Sequence, residues 1–287
     1  MTPPADPRAY QIACLASLLA YGWLALGFDV GLGQIAVTLA AALGAQHAFG
    51  RAAGLPRFDP KSALISGLSL CLLLRTDEPL LAVVAAVISI GGKFVLRVRG
   101  KHVFNPTNLG LMVMVVGSDR VWASSGQWGA TGFFAFLMAC LGGLVSHRAL
   151  RSDVSWAFLA SWAALLLHRA HGLGDPLTIP LHQLQSGALL LFTFFMISDP
   201  KTTPDARPAR IAFGVLVALG AFYVQFRLFR PNGLLWALFV LTPLVPFLDR
   251  LFPANRYAWP TAPRPQGDAH ETTLADPRPL AAGSALG

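Results

Sequence analysis

The sequence predicts an all-α polytopic membrane protein of about ten transmembrane helices, in an inverted 5+5 repeat with short, broken helices. Three observations lead there. Only 13% of the 287 residues are charged and 54% are hydrophobic, whereas a soluble domain carries roughly 25% charged residues. The charges are bunched, and the apolar runs between them span about 12 to 20 residues, near what roughly 30 Å of hydrocarbon requires. Finally, two motif pairs recur in the same order along the chain. A mean hydropathy of +0.55 agrees and excludes a soluble enzyme.

Residues 1–9 form a short arm with no basic run or small-residue cleavage pattern, so the apolar segment after it reads as a retained helix. The first and second helices cover 10–28 and 32–49. The third, 62–74, is short and stops at Arg75. The fourth covers 80–96, and the fifth, about 108–116, is again short. The sixth and seventh cover 128–145 and 154–167. The eighth, 186–197, is short and ends before Ser198-Asp199-Pro200. The ninth and tenth cover 210–226 and 233–247. The membrane domain thus occupies 10–250, in halves of about 10–118 and 119–250. The tail, 251–287, rich in Pro, Ala and Gly, is expected to be disordered.

Ten spans place both termini on one side. That side would carry 17 of the Lys and Arg residues and the other side 5: Arg75, Arg120, Arg169, Arg227 and Arg230. Basic residues concentrate on the cytoplasmic side of short membrane loops, so the sequence predicts a multi-pass protein of the bacterial cytoplasmic (inner) membrane with both termini cytoplasmic. The lipid bilayer, not nucleic acid, explains the net charge of +8.

The repeat rests on two pairs. SALISGLSLCLLLRTDEP, from Ser62, matches LQSGALLLFTFFMISDP, from Leu184, each with Ser-Gly, an apolar run, then Asp and Pro. FNPTNLGLMVMVV, from Phe104, matches FRPNGLLWALFVL, from Phe229. The offsets are 120 (Gly67 to Gly187) and 125 (Pro106 to Pro231). Halves of five helices must insert in opposite senses. The short helices cannot cross the hydrocarbon alone, and non-helical backbone at that depth survives only where protein or a polar cavity satisfies it. A single polar crevice between the halves is therefore expected, lined by Ser66, Gly67 and residues 105–108 from one half and by Ser186, Gly187, Pro231 and Asn232 from the other.

The densest polar cluster is GGKFVLRVRGKHVFNPTNLG, Gly91 to Gly110. Pro106 blocks helix upstream of itself, a cap at Thr107 or Asn108 can start the next helix, and the free N–H groups there suit an anion. Lys93, Lys101 and His102 lie near in sequence. A second cluster runs from Ser198 to Arg210 and a third from Ser124 to Gly132. Cys14, Cys71 and Cys140 stand alone, so neither a disulfide framework nor a metal site is expected. All 14 Asp and Glu fall in loops or tails, so a carboxylate ion pathway within this chain alone is not expected. The histidines do not form the facing pairs of a haem site.

Together, Ser-Gly in a short helix, Gly92-Lys93, Phe104-Asn105-Pro106, the Gly129-Ala130-Thr131 tripeptide and Asp199-Pro200 resemble the NqrB/RnfD family of membrane subunits of electron-transport complexes, over roughly residues 55–250. The compact chain is similar to stand-alone relatives, some of them among enediyne-biosynthesis membrane proteins. The resemblance implies ten helices in an inverted repeat, partner membrane or redox subunits, and FMN or another flavin. It implies cofactor-binding residues Ser66, Gly67, Lys93, Asn105, Pro106, Asn108, Ser186, Gly187 and Asp199, with Thr131 at the position of covalent flavin attachment. Trp128 stands where the family has Ser or Thr, and no acidic residue lies between Ser124 and Thr131, so Thr131 is expected to be unmodified and any flavin held without a covalent bond. A small-solute channel or transporter of the same fold, and a structural membrane subunit, are the alternatives. Reporter fusions after Ala123 and after Arg256 are expected to report opposite sides of the membrane; the same side for both would contradict the ten-span topology.

Overall fold

Polar backbone at membrane depth must find its partners inside the protein, and that demand decides where the helices of this chain stop. The computed structural model describes residues 6–124, 142–143, 146 and 150–258, which are mostly helical. The predicted sixth helix therefore falls almost wholly outside the described residues, as do Cys140 and the tail beyond 258.

Helix α1 (Pro7–Ala25) begins on a defined cap: the Asp6 carboxylate accepts the Arg8 backbone N–H at 3.0 Å, and Pro7 fills the first turn. Proline costs nothing there, because the N–H it lacks would have no helical partner. Helix α2 (Leu32–Ala52) follows, then α3 (Lys61–Leu73). At about 1.5 Å per residue, α3 reaches only about 20 Å. Its continuation is extended: β1 (Leu74–Thr76) pairs antiparallel with β4 (Val121–Ala123), and the Ser124 N–H reaches the Leu73 carbonyl at 2.9 Å. Between them lie α4 (Pro79–Val95), the small ladder of β2 (Arg97–Val98) with β3 (Lys101–His102), and α5 (Pro106–Gly117). The all-α expectation is corrected by these two ladders. Where a helix ends short of the surface, extended backbone exposes N–H and C=O groups, and a neighbouring strand is the local way to satisfy them.

Arg75 completes that short end. It is 2% exposed, and its Nη1 donates to the carbonyls of Cys71 (2.8 Å) and Leu74 (2.7 Å). The last carbonyls of a helix have no intrahelical donors, and a cation there also complements the negative end of the helix dipole.

The second half holds α6 (Ser152–Leu173), α7 (Thr178–Leu184), α8 (Gly187–Leu191), α9 (Arg207–Phe226), α10 (Gly233–Leu241) and α11 (Val245–Leu251). The predicted eighth helix, 186–197, is broken: α8 passes into a π-helical turn, Phe192–Met196, and α7 meets this segment at 46°. Thr193 accommodates the wide turn. Its hydroxyl donates to Leu189 O (2.7 Å), while its own carbonyl accepts from Ser155 on α6 (2.7 Å). The predicted tenth helix tightens into a 3-10 turn, Thr242–Leu244, at Pro243 before continuing as α11.

Three helical stretches are long and apolar enough to cross a membrane, Leu32–Ala52, Arg207–Phe226 and Gly233–Leu251, or four with the bent pair. Among the described residues α3, α4 and α5 are shorter apolar helices. Packing follows parallel patterns. In the first half α2 lies on α4 and α4 on α5; in the second α6 lies on α9 and α9 on α10. Each half uses a glycine for the closest approach. A Cβ at Gly110 of α5 would lie 2.4 Å from Ala85 O of α4, and one at Gly233 of α10 would lie 2.7 Å from Ala221 O of α9. Helices α5 and α10 then join the halves, with Phe104 stacked on Phe239 at 5.2 Å.

Replacing Arg75 by Met is expected to lower stability by about 1–3 kcal/mol, since buried carbonyls lose their donor. Arg120→Gln, at an exposed pair with Asp77 and Glu78, is expected to change it by less than about 1 kcal/mol. Denaturant titration in detergent measures both; equal effects would contradict the role of Arg75.

Candidate functional site

A cavity of about 210 Å³ opens where the ends of α2, α3 and α4 meet the start of α5 and the segment after the π turn. Helix α3 presents Ser62, Ser66 and Ser69 to it, at the spacing that keeps residues on one helical face. Gln46 comes from α2, Lys93 from the last turn of α4, and Arg97 and His102 from the β2–β3 ladder. Asn105, Pro106 and Thr107 form the start of α5, and Phe195, Met196, Asp199 and Lys201 close the far wall. The first helix contributes Arg8.

Asn105 holds this junction. Its Oδ1 caps α5 by accepting the Asn108 N–H at 3.1 Å, and its Nδ2 crosses to the second half, donating to Met196 O (3.3 Å) and Asp199 Oδ2 (3.4 Å). Asn108 makes a second crossing, from Nδ2 to Leu235 O on α10 (3.1 Å), and its buried Oδ1 has no partner among the described residues. Lys93 is 4% exposed; its Nζ donates to Gln46 Oε1 (2.8 Å) and Ser62 Oγ (2.9 Å). Asp199 Oδ1 accepts the Lys201 N–H at 3.0 Å. Burial pushes the Asp199 carboxyl above the usual carboxylate range, although the Lys201 N–H and the nearby lysines pull the other way.

Burial also dominates at His102, helped by Arg97, Lys93 and Lys201, and brings its pKa down to about 4. Its Nδ1 is buried without a hydrogen-bond partner among the described residues. Lys101, close in sequence, turns away: its Nζ pairs with Asp249 (2.7 Å) and Asp205 (3.2 Å), tying the β2–β3 ladder to the second half. Both described chain ends converge on this face. Arg8 lines the cavity, and Lys201 Nζ donates to Tyr257 O at 3.0 Å.

The structure thus brings together Ser66, Lys93, Asn105, Pro106 and Asp199 of the residues singled out in the sequence. It separates the rest. Gly67 is a packing position, where a Cβ would lie 2.9 Å from Leu39 of α2. Ser186 lines a second cavity of about 380 Å³ with Gln183, Gln225, Pro231 and Asn232, and Gly187 is buried beside it at the start of α8. The single crevice expected between the halves is therefore two cavities, both bordered by Met196. The π turn fills the space between them with Phe192, Phe194 and Phe195, all buried. Thr131, with Trp128, lies outside the described residues. Sequence reasoning missed Gln46, Ser62 and Arg8. A glutamine inside an apolar span was the available signal for Gln46, because such residues face protein or a polar cavity.

Chemically, the wall offers amide and hydroxyl groups for the edge of a polar heterocycle, aromatic faces at Phe94 and Phe195, and a cationic corner at Lys93, Arg97 and Lys201.

Residues 118–258 match the model of the NQR2, RnfD, RnfE family. The chain is 30% identical over 125 residues to an RnfD-type subunit of the ion-translocating oxidoreductase complex of Erwinia tasmaniensis, covering 43% of this chain and 34% of that one. It is 26% identical over 147 residues to the corresponding protein of Haemophilus influenzae, covering 50% and 41%. With the counterpart from Mannheimia succiniciproducens identity is 34% over 76 residues, 26% of this chain and 22% of that one. The chain therefore spans well under half the length of these relatives.

A buried neutral imidazole makes stability depend on pH. The folded pKa of His102, about 4, lies below the ordinary histidine value of 6.5. The folded state thus resists the proton that the unfolded state accepts, and stability falls as pH drops from 6.5 towards 4. Asp199, with a raised folded pKa, acts in the opposite sense at low pH, so the difference between wild type and His102→Gln isolates the histidine. The variant is expected to lose less stability than wild type between pH 7 and pH 4, by up to about 3 kcal/mol. Parallel pH profiles for the two proteins would contradict the assignment.

Proposed function

We propose, from the premise that residues 118–258 belong to the NQR2, RnfD, RnfE family, that this chain is a membrane subunit of an electron-transport system that works with partner subunits. The relatives it matches are named as subunits of an ion-translocating oxidoreductase complex, and we carry that setting over as a proposal. The chain would sit in the bacterial inner membrane as ten spans in an inverted 5+5 repeat, with both termini cytoplasmic. The matched packing of α2–α4–α5 and α6–α9–α10 supports the repeat, and the cluster of Arg8, Lys93, Lys201 and Tyr257 at one end supports the shared side of the termini.

The observation that carries the functional reading is the convergence of Lys93, Asn105 and Asp199, from three separate sequence motifs, on one cavity. We assign that cavity a flavin held without a covalent bond. Bound there, a flavin would supply one- and two-electron transfer. The residues fit such a group: the Nδ1 of His102 is buried without a partner among the described residues, and Gln46, Ser66, Asn105 and Thr107 can orient a ring edge while Phe94 and Phe195 offer apolar faces. The neutral His102 accepts a hydrogen bond from a proton-bearing group, Lys93 stabilises negative charge on whatever binds, and Asn105 fixes the floor by holding α5 to Asp199.

A second reading keeps one observation of its own. Two cavities on opposite sides of Met196 resemble the two vestibules of a small-solute channel or transporter. The absorption spectrum of the purified chain separates the readings. A flavin spectrum, released on denaturation, with an intact mass equal to the bare chain, is expected, and Asn105→Ala is expected to lower flavin occupancy by about tenfold or more, the scale of losing a hydrogen bond that also positions a helix. A colourless protein that supports solute flux in liposomes would favour the channel. A mass increment of one FMN, lost in Thr131→Ala, would place the flavin at the attachment position and contradict the non-covalent assignment.

A further inference from the structure

The cavity carries more positive charge than its carboxylates answer. Lys93, Arg97 and Lys201 all line it, and none is ion-paired with a described carboxylate. Lys93 is the informative one. It is buried, and both of its partners, Gln46 Oε1 and Ser62 Oγ, are neutral. The Arg97 Nε donates to the Lys93 carbonyl, and its guanidinium lies over Phe94 at 5.3 Å. Lys201 Nζ donates to the Tyr257 carbonyl at 3.0 Å. The lining carboxylates are engaged elsewhere: Asp59 by Arg8, which also pairs with Asp6, and Asp199 by the Lys201 N–H and the Asn105 amide. A buried ammonium is costly unless an opposite charge accompanies it.

We propose that this cavity binds a phosphate monoester, its phosphoryl group seated on Lys93 with Arg97 and Lys201 closing around it. Three cations with hydroxyl neighbours at Ser62 and Thr107 suit a dianion with three acceptor oxygens better than a carboxylate, which has two. The inference rests on the flavin reading only for the organic part of the ligand. Under that reading the cavity selects the phosphorylated flavin, FMN, over riboflavin.

The test uses the full chain in nanodiscs of zwitterionic lipid, with FMN, riboflavin and inorganic phosphate as probes. FMN is expected to bind at least about tenfold more tightly than riboflavin, the order of one charge-assisted contact, and inorganic phosphate is expected to compete with it. Lys93→Gln is expected to bring FMN down to the affinity of riboflavin while leaving riboflavin unchanged. Lys201→Gln, at a loop position where folding is less at risk, is expected to weaken FMN severalfold. Phosphate binding that depends on Lys93, with neither flavin bound, would support the anion site and defeat the flavin reading. Equal binding of FMN and riboflavin with no competition by phosphate, or phosphate binding unchanged in both variants, would overturn the proposal.

Discussion

The architecture turns on a helix that starts inside the protein. Helix α5 has its first turn at Asn105–Asn108, buried between the halves. The backbone donors of such a start have no water to turn to, so they need a fixed internal partner. Asn105 supplies it with one side-chain atom and uses the other to grip Met196 and Asp199 across the junction. One residue thus sets both a helix end and the relation of two halves. The cavity exists because this cap leaves space beside it that Lys93, His102 and Asp199 face.

The same constraint explains the other irregular places. Helix α3 ends early, so Arg75 and strand β4 take up its carbonyls and its extended continuation. Helix α8 ends early, so a π turn widens the backbone, and the Ser155 hydroxyl donates to the freed Thr193 carbonyl. The two short helices solve one problem by different means, strand pairing in the first half and a helical bulge in the second. That bulge, rich in phenylalanine, separates the cavity at Lys93 from the cavity at Asn232.

Much of this was legible in the sequence. Bunched charges and apolar runs located the helices, and the brevity of 62–74 and 108–116 marked where backbone would need help. Asn105-Pro106-Thr107-Asn108 announced both a helix start and a polar site, because Pro and Asn have local chemistry that acts within four residues. What stayed hidden depends on partners distant in sequence. Nothing local to Leu74–Thr76 says that Val121–Ala123 will pair with it. Lys101 and Lys93 look alike in a basic loop; only the fold gives Lys101 to Asp205 and Asp249 and leaves Lys93 with neutral partners. Gly67 and Gly187 read as site residues because the repeat aligned them, yet Gly67 serves the contact with α2. Gln46 is inconspicuous because a single amide barely alters the hydropathy of α2.

The central claim is that the junction capped by Asn105 is a cofactor site. A cryo-electron-microscopy map of the full chain, purified with flavin present, tests it most directly. The account predicts planar density in the cavity bounded by Lys93, Asn105 and Asp199, with unbroken density for the Asn105 side chain against Met196. An empty cavity there, with flavin density instead beside Trp162 and Asn232 or at Thr131, would contradict it.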